Sequence, residues 1–449
     1  MLSKNDIYET EITSYGSDGS GVCKINGIAV FVPFTVRGDR IRLRIVKVCK
    51  TYAYGKTEEI LIPSENRVQP SCKVFGRCGG CNLMHMSYTE QLTFKQNHVK
   101  DCIERIGGID TEVLPTLGAD RLGGCRNKIQ IPVSYDENGR IAAGFYLPRS
   151  HKPVAQDNCV IQPPCAREII TTVCNLMEKH KILPYCEEKH SGTVRHIYIR
   201  TSEITKKIMA VLVINAKKMP CESEFAAALK NIGVTSFLIN VNTEKTNVIL
   251  GKKFISVYGT EKITDTLCGL KFEISPNSFY QINHDQAEKL YALAAEFADI
   301  NKNDTVLDLY CGAGTITLFA AGLAKKAIGI EIVPEAIENA KNNMRINGIK
   351  NAEFYCGDAG KTARKLLSQG TRPNKIIIDP PRKGCDENTL NLITELSPDK
   401  VVYVSCNPAT LARDLKFMKN HGYITEKIRP VDMFIHSAHV ETVSLISRG

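Results

Sequence analysis

The sequence lacks the features that would place the protein in a membrane, on a secretory route or among repeat architectures. It has no apolar run long enough to span a bilayer and no signal peptide, which predicts a cytoplasmic protein without a membrane partner. No internal repeat or low-complexity segment is visible. Acidic residues are in the minority, because 48 Asp and Glu stand against 58 Lys and Arg.

The composition that is present fits a multidomain protein with an acidic partner. The chain has 449 residues and 43% hydrophobic content, which is core material for two or three domains. Its net charge of +10 favours a polyanion such as RNA, and we expect a monomer. The 17 cysteines show no disulfide framework, so they indicate a reducing compartment.

The C-terminal part of the chain alternates short apolar strands with amphipathic helices. From about Asp304, the segments TVLDLY, AIGIEIV, KIIIDPP and KVVYVSC are predicted strands, and helices are predicted over 314–325 and 334–347. This order predicts an α/β fold with a doubly wound parallel sheet, which binds ligands at the C-terminal ends of its strands. The polar residues at or near those ends are Asp308, Glu331, Asp358, Asp379 and Cys406.

A glycine turn follows the first of these strands. It contains Gly312 and Gly314, but Thr317 stands where the dinucleotide fingerprint has its third glycine, so a bound pyrophosphate is poorly supported. Glu331, 17 residues after Gly314, can bond both hydroxyls of a ribose. The pattern therefore favours a nucleoside without phosphates, such as S-adenosylmethionine, over NAD. A simple packing turn is the alternative.

Cys406 and Glu441 are the candidates for covalent and acid-base chemistry. Cys406 closes an apolar strand, and Asn407 and Pro408 then open a helix, whose N-terminus favours the thiolate. Most single cysteines are small buried hydrophobes, so the prediction depends on this setting. Glu441 lies in the predicted strand HVETVSLI, where it is either the solvent-facing member of an alternation or a buried carboxyl.

The N-terminal segment predicts a small β-barrel. Residues 6–62 alternate in short strands, and Asn26-Gly27 is a hairpin turn signal. Arg40, Arg42 and Arg44 alternate with apolar residues, so they share one strand face. A basic stripe on a small barrel is typical of OB-like nucleic-acid modules, and a solvated strand face is the alternative.

Three cysteines downstream of this segment have a metal-type spacing. Cys72, Cys78 and Cys81 follow the pattern C-x5-C-x2-C with a diglycine, so their thiolates can converge on one centre. A fourth ligand must come from elsewhere, and we predict Cys159, with Cys165 as its rival. The spacing alone does not separate zinc from iron-sulfur. Between about 88 and 275, mixed helix and strand patterns predict a central α+β domain.

Several motifs together resemble the bacterial RNA uracil-5-methyltransferase family over nearly the whole chain. They are DPPRKG at 379–384, SCNPATLARD at 405–414, VDMFIHSAHVE at 431–441 and SPNSFYQIN at 275–283. The resemblance implies an RNA-binding TRAM barrel at 1–64, a central domain with a cluster site at 65–270, and a class I (Rossmann-like) methyltransferase domain at 271–449. Ile435, His436 and Met84 depart from the residues that the family commonly has at these positions.

The same resemblance implies roles for individual residues. Cys406 would be the nucleophile and Glu441 the proton acceptor. S-adenosylmethionine would contact Gln281, Tyr310, Gly312, Gly314, Glu331, Asp358 and Asp379. Family members with this cysteine set carry a [4Fe-4S] cluster, whose ligands here would be Cys72, Cys78, Cys81 and Cys159.

The implied reaction is C5-methylation of a uridine in 23S rRNA through a transient bond between Cys406 and C6 of the base. A tRNA uracil-5-methyltransferase is one alternative, although bacterial members of that branch generally lack the barrel and the cysteine set. A cytosine-5 enzyme would need a second cysteine where this chain has Asp379-Pro380-Pro381-Arg382. A noncatalytic iron-sulfur RNA-binding protein would leave Cys406 and Glu441 without a role.

Overall fold

The structure of the protein is a computed structural model that describes residues 2–156 and 158–449. The N-terminal strands are β1 (Ile7–Glu11), β2 (Ser14–Tyr15), β3 (Gly21–Ile25), β4 (Ile28–Val32), β5 (Arg40–Val48) and β6 (Tyr52–Ile62). They form one sheet in the order β1-β5-β6-β4-β3-β2, which folds around an apolar core that includes Val30, Ile41 and Leu43. Asn26 and Gly27 both have positive φ in the tight turn between β3 and β4, as the sequence predicts.

The arginines of β5 do not form a free basic stripe. Arg42 pairs with Glu9 at 2.8 Å and with Glu59 at 2.6 Å, both on the neighbouring strands. Arg44 pairs with Glu58 at 2.8 Å. These acidic partners offset the charges of Arg42 and Arg44, so neither arginine is a free cation on this face, and an RNA-binding role of the face stays a prediction.

The central part of the chain forms a second sheet covered by two helices. Three elements precede it in the chain: α1 (Tyr88–Cys102), the π-helical turn Ile103–Gly107 and β7 (Glu112–Val113). The elements of the sheet and its helices are β8 (Lys128–Tyr135), β9 (Ile141–Ala143), α2 (Ala166–Lys179), β10 (Val194–Thr201), β11 (Ile208–Ile214), α3 (Glu222–Asn231), β12 (Ser236–Val241) and β13 (Lys253–Tyr258). The sheet order is β13-β12-β11-β10-β8-β9, and of its strand pairs only β11 and β12 run parallel among the described residues. The hairpin of β14 (Ile263–Leu267) and β15 (Leu270–Ile274) follows.

The C-terminal part forms the predicted α/β layer structure. Its elements are α4 (His284–Ala298), β16 (Thr305–Leu309), α5 (Thr315–Leu323), β17 (Lys326–Glu331), α6 (Pro334–Ile346), β18 (Ala352–Cys356), α7 (Ala359–Ser368), β19 (Lys375–Ile378), α8 (Glu387–Leu396), β20 (Lys400–Ser405), α9 (Pro408–Asn420), β21 (Tyr423–Val431) and β22 (Glu441–Arg448). The strand order is β18-β17-β16-β19-β20-β22-β21-β7. The first five strands of this order are parallel, and β22 then inserts antiparallel between β20 and β21. The predicted α/β class is confirmed.

Local sequence signals determine where the helices of this layer begin. Pro334 and Pro408 occupy first-turn positions of α6 and α9, where a missing backbone N–H has no cost. Asp358 caps α7, because its Oδ1 accepts a hydrogen bond from Lys361 N at 3.0 Å. Asn407 caps α9 in the same way through Ala409 N at 3.1 Å. Each cap turns the chain directly after a strand, so functional side chains collect at one edge of the sheet.

Helix α1 and strand β7 pack on the C-terminal layer, although they precede the central sheet in the chain. Val99 of α1 and Ile103 share a buried core with Leu411 of α9. Strand β7 extends the edge of the C-terminal sheet by pairing in parallel with β21. None of the helices in the described part of the chain combines the length and the apolar composition that a membrane crossing requires.

Candidate functional site

A cavity of about 640 Å³ lies at the C-terminal ends of β16, β17, β19 and β20. Most of the residues that the sequence assigns to cofactor binding and catalysis line it: Gln281, Tyr310, Gly312, Glu331, Asp358, Asp379, Cys406 and Glu441. Gly314 does not line the cavity and is instead the N-cap residue of α5. The cavity is also lined by Phe279, Ile332 and Phe434, which add apolar surface.

The glycine turn has a conformation that other residues rarely adopt. Gly312 has a φ of 53° and Gly314 a φ of 80°, both in the left-handed region. A Cβ on Gly314 would lie 2.8 Å from the ring of Phe354, whereas a Cβ on Gly312 would meet nothing within 4 Å. Gly314 is therefore needed for packing, and Gly312 keeps the cavity open.

Glu331 is held at the end of β17 by backbone groups. Gly312 N donates to its Oε2 at 3.2 Å, and Val333 N donates to its Oε1 at 3.0 Å. These bonds orient the carboxylate and leave each oxygen a further lone pair. That arrangement suits the two hydroxyls of a ribose, as the sequence predicts for this position.

A buried acidic cluster lies behind and beside the glycine turn. The pKa of Asp308 is raised to about 8, mainly by burial; the hydrogen bond from Thr317 opposes the rise, and the nearby carboxyl of Asp379 adds to it. Burial likewise raises the pKa of Asp379 to about 7. Asp308 Oδ2 accepts a hydrogen bond from Thr317 Oγ1 at 2.5 Å, but its Oδ1 has no partner among the described residues. A cationic group in the cavity would relieve this crowding of acidic groups.

Cys406 directly follows β20 and lines the cavity, next to the turn after β19, which a hydrogen bond connects to the start of α9. Asn407 Nδ2 donates to Arg382 O at 3.1 Å, which joins the start of α9 to the turn that follows β19. The pKa of Cys406 is raised, mainly by burial and then by the carboxyls of Glu441 and Asp379, and the guanidinium of Arg382 opposes the shift only in part. Burial and the two carboxyls thus set the net direction of the shift, and the favourable effect of the helix N-terminus on the thiolate stays a prediction.

Glu441 begins β22 and is buried. Its residue is 4% exposed, and its Oε2 has no hydrogen-bond partner among the described residues. Burial raises the pKa of Glu441 well above its ordinary value, and the neighbouring Asp379 adds to the shift. An unpartnered buried carboxyl on a cavity wall is a suitable proton acceptor, because a raised pKa makes the carboxylate more basic. Of the two environments that the sequence allowed, the structure has the buried one.

A second cavity, of about 590 Å³, meets the first at Cys406 and Arg382. Most of its wall residues come from the barrel at 17–20 and 33–34, the cysteine loop at 78–82 and the C-terminal segment at 437–440. His98, Pro148, Arg382 and residues 406–408 complete the wall. We call the first the inner cavity and this second one the outer cavity. The thiol of Cys406 therefore stands at the boundary between two compartments.

The cysteines predicted as metal ligands share one small cavity. Cys72, Cys78, Cys81 and Cys159 line it together, whereas Cys165 lies at the start of α2 and packs on the central sheet. Burial and the neighbouring thiols raise the pKa of Cys81 to about 12. Gln156 Nε2 lies 3.4 Å from Cys72 Sγ, and Gly80 N lies 3.4 Å from Cys78 Sγ.

The separation of these sulfur atoms bears on the kind of group that they fit. Within the described residues, no three of the four Sγ atoms lie within 4.8 Å of one another. Ligands of a single tetrahedral zinc ion, at about 2.3 Å from the metal, would be about 3.8 Å apart. Four convergent but more widely spaced thiols suit a multi-iron cluster, in which each cysteine binds a different iron. The residues present therefore fit the cluster that the resemblance implies.

A buried ion pair holds the segment that leads to Glu441. Lys95 of α1 and Asp432 are both completely excluded from solvent and are bonded to each other. Lys95 Nζ also donates to Phe434 O at 3.0 Å, and Tyr88 Oη donates to Asp432 Oδ2 at 2.8 Å. Lys95 is not among the candidates that the sequence identifies, because a lysine in an amphipathic helix is normally exposed.

Comparison with known proteins agrees with this geometry. The family model described as tRNA (Uracil-5-)-methyltransferase matches residues 170–449. An uncharacterized RNA methyltransferase of Clostridium tetani is 44% identical over 99% of this chain and 97% of its own length. One from Halalkalibacterium halodurans is 45% identical over 99% and 98%.

A solved structure is similar over almost the full length. It is the crystal structure of the Pyrococcus abyssi tRNA (uracil-54, C5)-methyltransferase in complex with S-adenosyl-L-homocysteine. The sequence identity is 28%, the TM-score is 0.79, and the match covers 98% of this chain and 100% of that chain.

Proposed function

The chain belongs to the RNA uracil-5-methyltransferase family, and we propose that it methylates its uridine through a transient covalent bond between Cys406 and C6 of the base. S-adenosylmethionine-dependent methylation of C5 of uracil in RNA is the activity of the family. The observation that carries the proposed mechanism is that Cys406 and the buried, unpartnered Glu441 line one cavity with the cofactor candidates.

The chemistry of uracil explains why both residues are needed. C5 is too weak a nucleophile to take a methyl group unaided, and addition of the Cys406 thiolate to C6 generates an enolate with a nucleophilic C5. The methyl group comes from S-adenosylmethionine. Glu441 then removes the C5 proton, and elimination of Cys406 restores the aromatic base. Because the pKa of Cys406 is raised, its thiol must first give up its proton, to water or to a base in the cavity, before the thiolate adds to C6.

The cofactor residues have environments that match their proposed roles. Glu331 would bind the ribose, and Asp379 on the cavity wall would face the positive charge of the sulfonium and amino groups. Gln281, Tyr310 and Asp358 would complete the walls, with the turn of Gly312 and Gly314 beneath. Ile332 is 63% exposed and Phe279 66% exposed at the rim, so an adenine ring would find apolar surface there.

The two cavities suggest how RNA reaches the thiol. A stacked base cannot approach Cys406, so the target uridine must leave its stack at a cost of a few kcal/mol. We assign the flipped uridine to the boundary at Cys406 and Arg382, and the flanking strand to the outer cavity. The barrel forms part of the wall of the outer cavity, which supports the proposed role of residues 1–64 as an RNA-binding TRAM barrel.

A stable adduct with 5-fluorouridine tests the covalent mechanism, because fluorine cannot leave as a proton does. Transcripts of 23S rRNA and of tRNA that contain 5-fluorouridine would be incubated with S-adenosylmethionine and the protein, then run on a denaturing gel. We expect a covalent band with the native protein and with Cys356→Ala, a control at an exposed cysteine. Cys406→Ala should give no band, and an undiminished band would refute the mechanism.

We further propose that Cys72, Cys78, Cys81 and Cys159 hold a [4Fe-4S] cluster with a structural rather than a redox role. Cys159→Ala and Cys165→Ala form a matched pair, since only Cys159 lines the shared cavity. Protein purified without oxygen should lose its iron and sulfide in Cys159→Ala and keep them in Cys165→Ala. The opposite result, or zinc in place of iron, would overturn this assignment.

The proposed substrate is a uridine of 23S rRNA, as the motif set implies. The second candidate is tRNA, because the Pyrococcus abyssi tRNA enzyme matches 98% of this chain, so a barrel and central domain do not by themselves exclude tRNA. Mapping of 5-methyluridine in rRNA and tRNA from cells with and without the protein decides between them. Loss of the modification from tRNA alone would favour the second candidate.

A further inference from the structure

One side chain ties the cysteine loop to the segment that carries the proposed base. Asn82 directly follows Cys81, and its Oδ1 accepts a hydrogen bond from Ala438 N at 2.9 Å. Its Nδ2 donates to Asp18 O in the barrel at 2.5 Å. The backbone N–H groups of Asn82 and Leu83 both donate to His436 O at 3.0 Å. The cysteine loop, the barrel and the C-terminal segment therefore meet at Asn82.

The bonded segment has a conformation that needs outside support. His436 has a φ of 62°, a left-handed conformation that is uncommon for residues other than glycine. The ion pair of Lys95 and Asp432 holds the start of this segment, whereas Asn82 holds its later part, only three residues before Glu441. Of these two attachments, only the one through Asn82 involves the chain neighbour of a proposed cluster ligand, Cys81.

We infer that Asn82 is a positioning residue that transmits the conformation of the cysteine loop, residues 72–82, to the catalytic segment, residues 432–441. The inference rests on the proposed roles of Glu441 and of the cluster. Filling the cysteine cavity orders the loop, and Asn82 then fixes Ala438 and the approach of Glu441 to the base. Emptying the cavity frees Asn82 and loosens the segment.

Hydrogen exchange measures this link without reference to activity. Asn82→Ala removes both side-chain bonds, whereas Asn82→Asp keeps an acceptor for Ala438 N. We expect exchange at Ala438 to rise about tenfold in Asn82→Ala, the factor that one net hydrogen bond corresponds to, and less in Asn82→Asp. Asn242→Ala is the control, because the Asn242 side chain likewise donates to and accepts from backbone groups, but directly after β12 of the central sheet. Unchanged exchange at 436–441 in Asn82→Ala would overturn the inference.

Removal of the cluster tests the transmission itself. Protein purified without oxygen would be compared before and after treatment with a chelator. In the native protein we expect faster exchange at 436–441 after iron removal, and in Asn82→Ala little further change. Faster exchange confined to 72–82 would overturn the transmission. If the native protein holds no iron, the proposed cluster fails, while the comparison of the Asn82 variants still decides whether this side chain holds the segment.

Steady-state kinetics separate positioning from RNA contact and from simple loss of folded enzyme. The active fraction would be titrated with 5-fluorouridine RNA, and kcat expressed per active site. We expect Asn82→Ala to lower kcat about tenfold with KM for RNA nearly unchanged, and Asn82→Asp to recover part of the loss. A higher KM at normal kcat would instead make Asn82 an RNA contact, since it also lines the outer cavity, and would overturn the positioning role.

Discussion

Lys95 and Asp432 form an ion pair in which neither side chain is accessible to solvent. The pair joins α1, which follows the cysteine loop, to the start of the segment that ends at Glu441. Burial lowers the pKa of Lys95, and the carboxylate of Asp432 opposes that shift. Lys95 and Asp432 are both costly to desolvate, and their ion pair fixes the position of the segment that ends at Glu441.

Loss of one partner from this pair should be strongly destabilising. Lys95→Met leaves the Asp432 charge buried and should lower the free energy of unfolding by about 3–5 kcal/mol. Denaturant unfolding followed by circular dichroism measures the change. Arg364→Ala breaks the exposed pair with Glu395 and should cost less than about 1 kcal/mol. Equal effects of the two variants would contradict the importance of the buried pair.

Neutralising Glu441 and neutralising Arg382 should shift the pKa of Cys406 in opposite directions. Glu441 raises the pKa of Cys406 and Arg382 lowers it, so Glu441→Gln should shift thiol ionisation to lower pH and Arg382→Gln to higher pH. Because the thiolate is the reactive form, the pH profile of alkylation by iodoacetamide, read by mass spectrometry, reports the shift. The exposed Cys356 provides an internal control in each sample. Shifts of the same sign in both variants would rule out this electrostatic account.

Alanine substitutions at the two glycines of the turn should have different effects, one mainly on stability and the other mainly on cofactor affinity. Gly314→Ala forces a Cβ against Phe354 in a left-handed conformation and should cost about 3 kcal/mol of stability. Gly312→Ala meets nothing within 4 Å, so it should cost about 1 kcal/mol but weaken S-adenosylmethionine binding by entering the cavity. Unfolding experiments and calorimetric titration distinguish the two effects. A reversed order of stability would contradict the packing argument.

Glu441→Gln should stop the reaction after methyl transfer. Without the carboxylate, removal of the C5 proton should slow by about 10² to 10⁴, and a methylated protein–RNA adduct should accumulate. Mass spectrometry of nuclease-digested protein would find the methylated nucleotide on Cys406. Glu426→Gln, at an exposed glutamate on β21, is the matched control and should turn over normally. Normal turnover in Glu441→Gln would exclude Glu441 as the base.

Local signals were sufficient to predict much of the fold and the cofactor end of the site. The alternation of apolar strands with amphipathic helices, together with caps such as Asn407 and Asp358, defines elements that form wherever that pattern occurs. Parallel strands then bring their C-terminal ends to one edge, so Glu331, Asp379 and Cys406 were expected to meet. The cysteine spacing likewise predicted a convergence of Cys72, Cys78 and Cys81, and these residues do line one cavity.

Other properties depended on what lies opposite each residue. The period-two pattern around Glu441 fits an exposed or a buried carboxyl, and the insertion of β22 between β20 and β21 buries it. The pattern of β5 exposes Arg42 without revealing the glutamates beside it. The acidic neighbours that raise the pKa of Cys406 come from distant parts of the chain.

Strands, helices, turns and candidate residues could be predicted from the amino-acid order, because they follow from interactions between residues close in the chain. The burial of Lys95 against Asp432, 337 residues away, and the hydrogen bond between Asn82 and Ala438, 356 residues apart, could not be predicted in this way. Burial and pairing over such separations are set by the packing of whole layers, which determines the solvation and charge around each group.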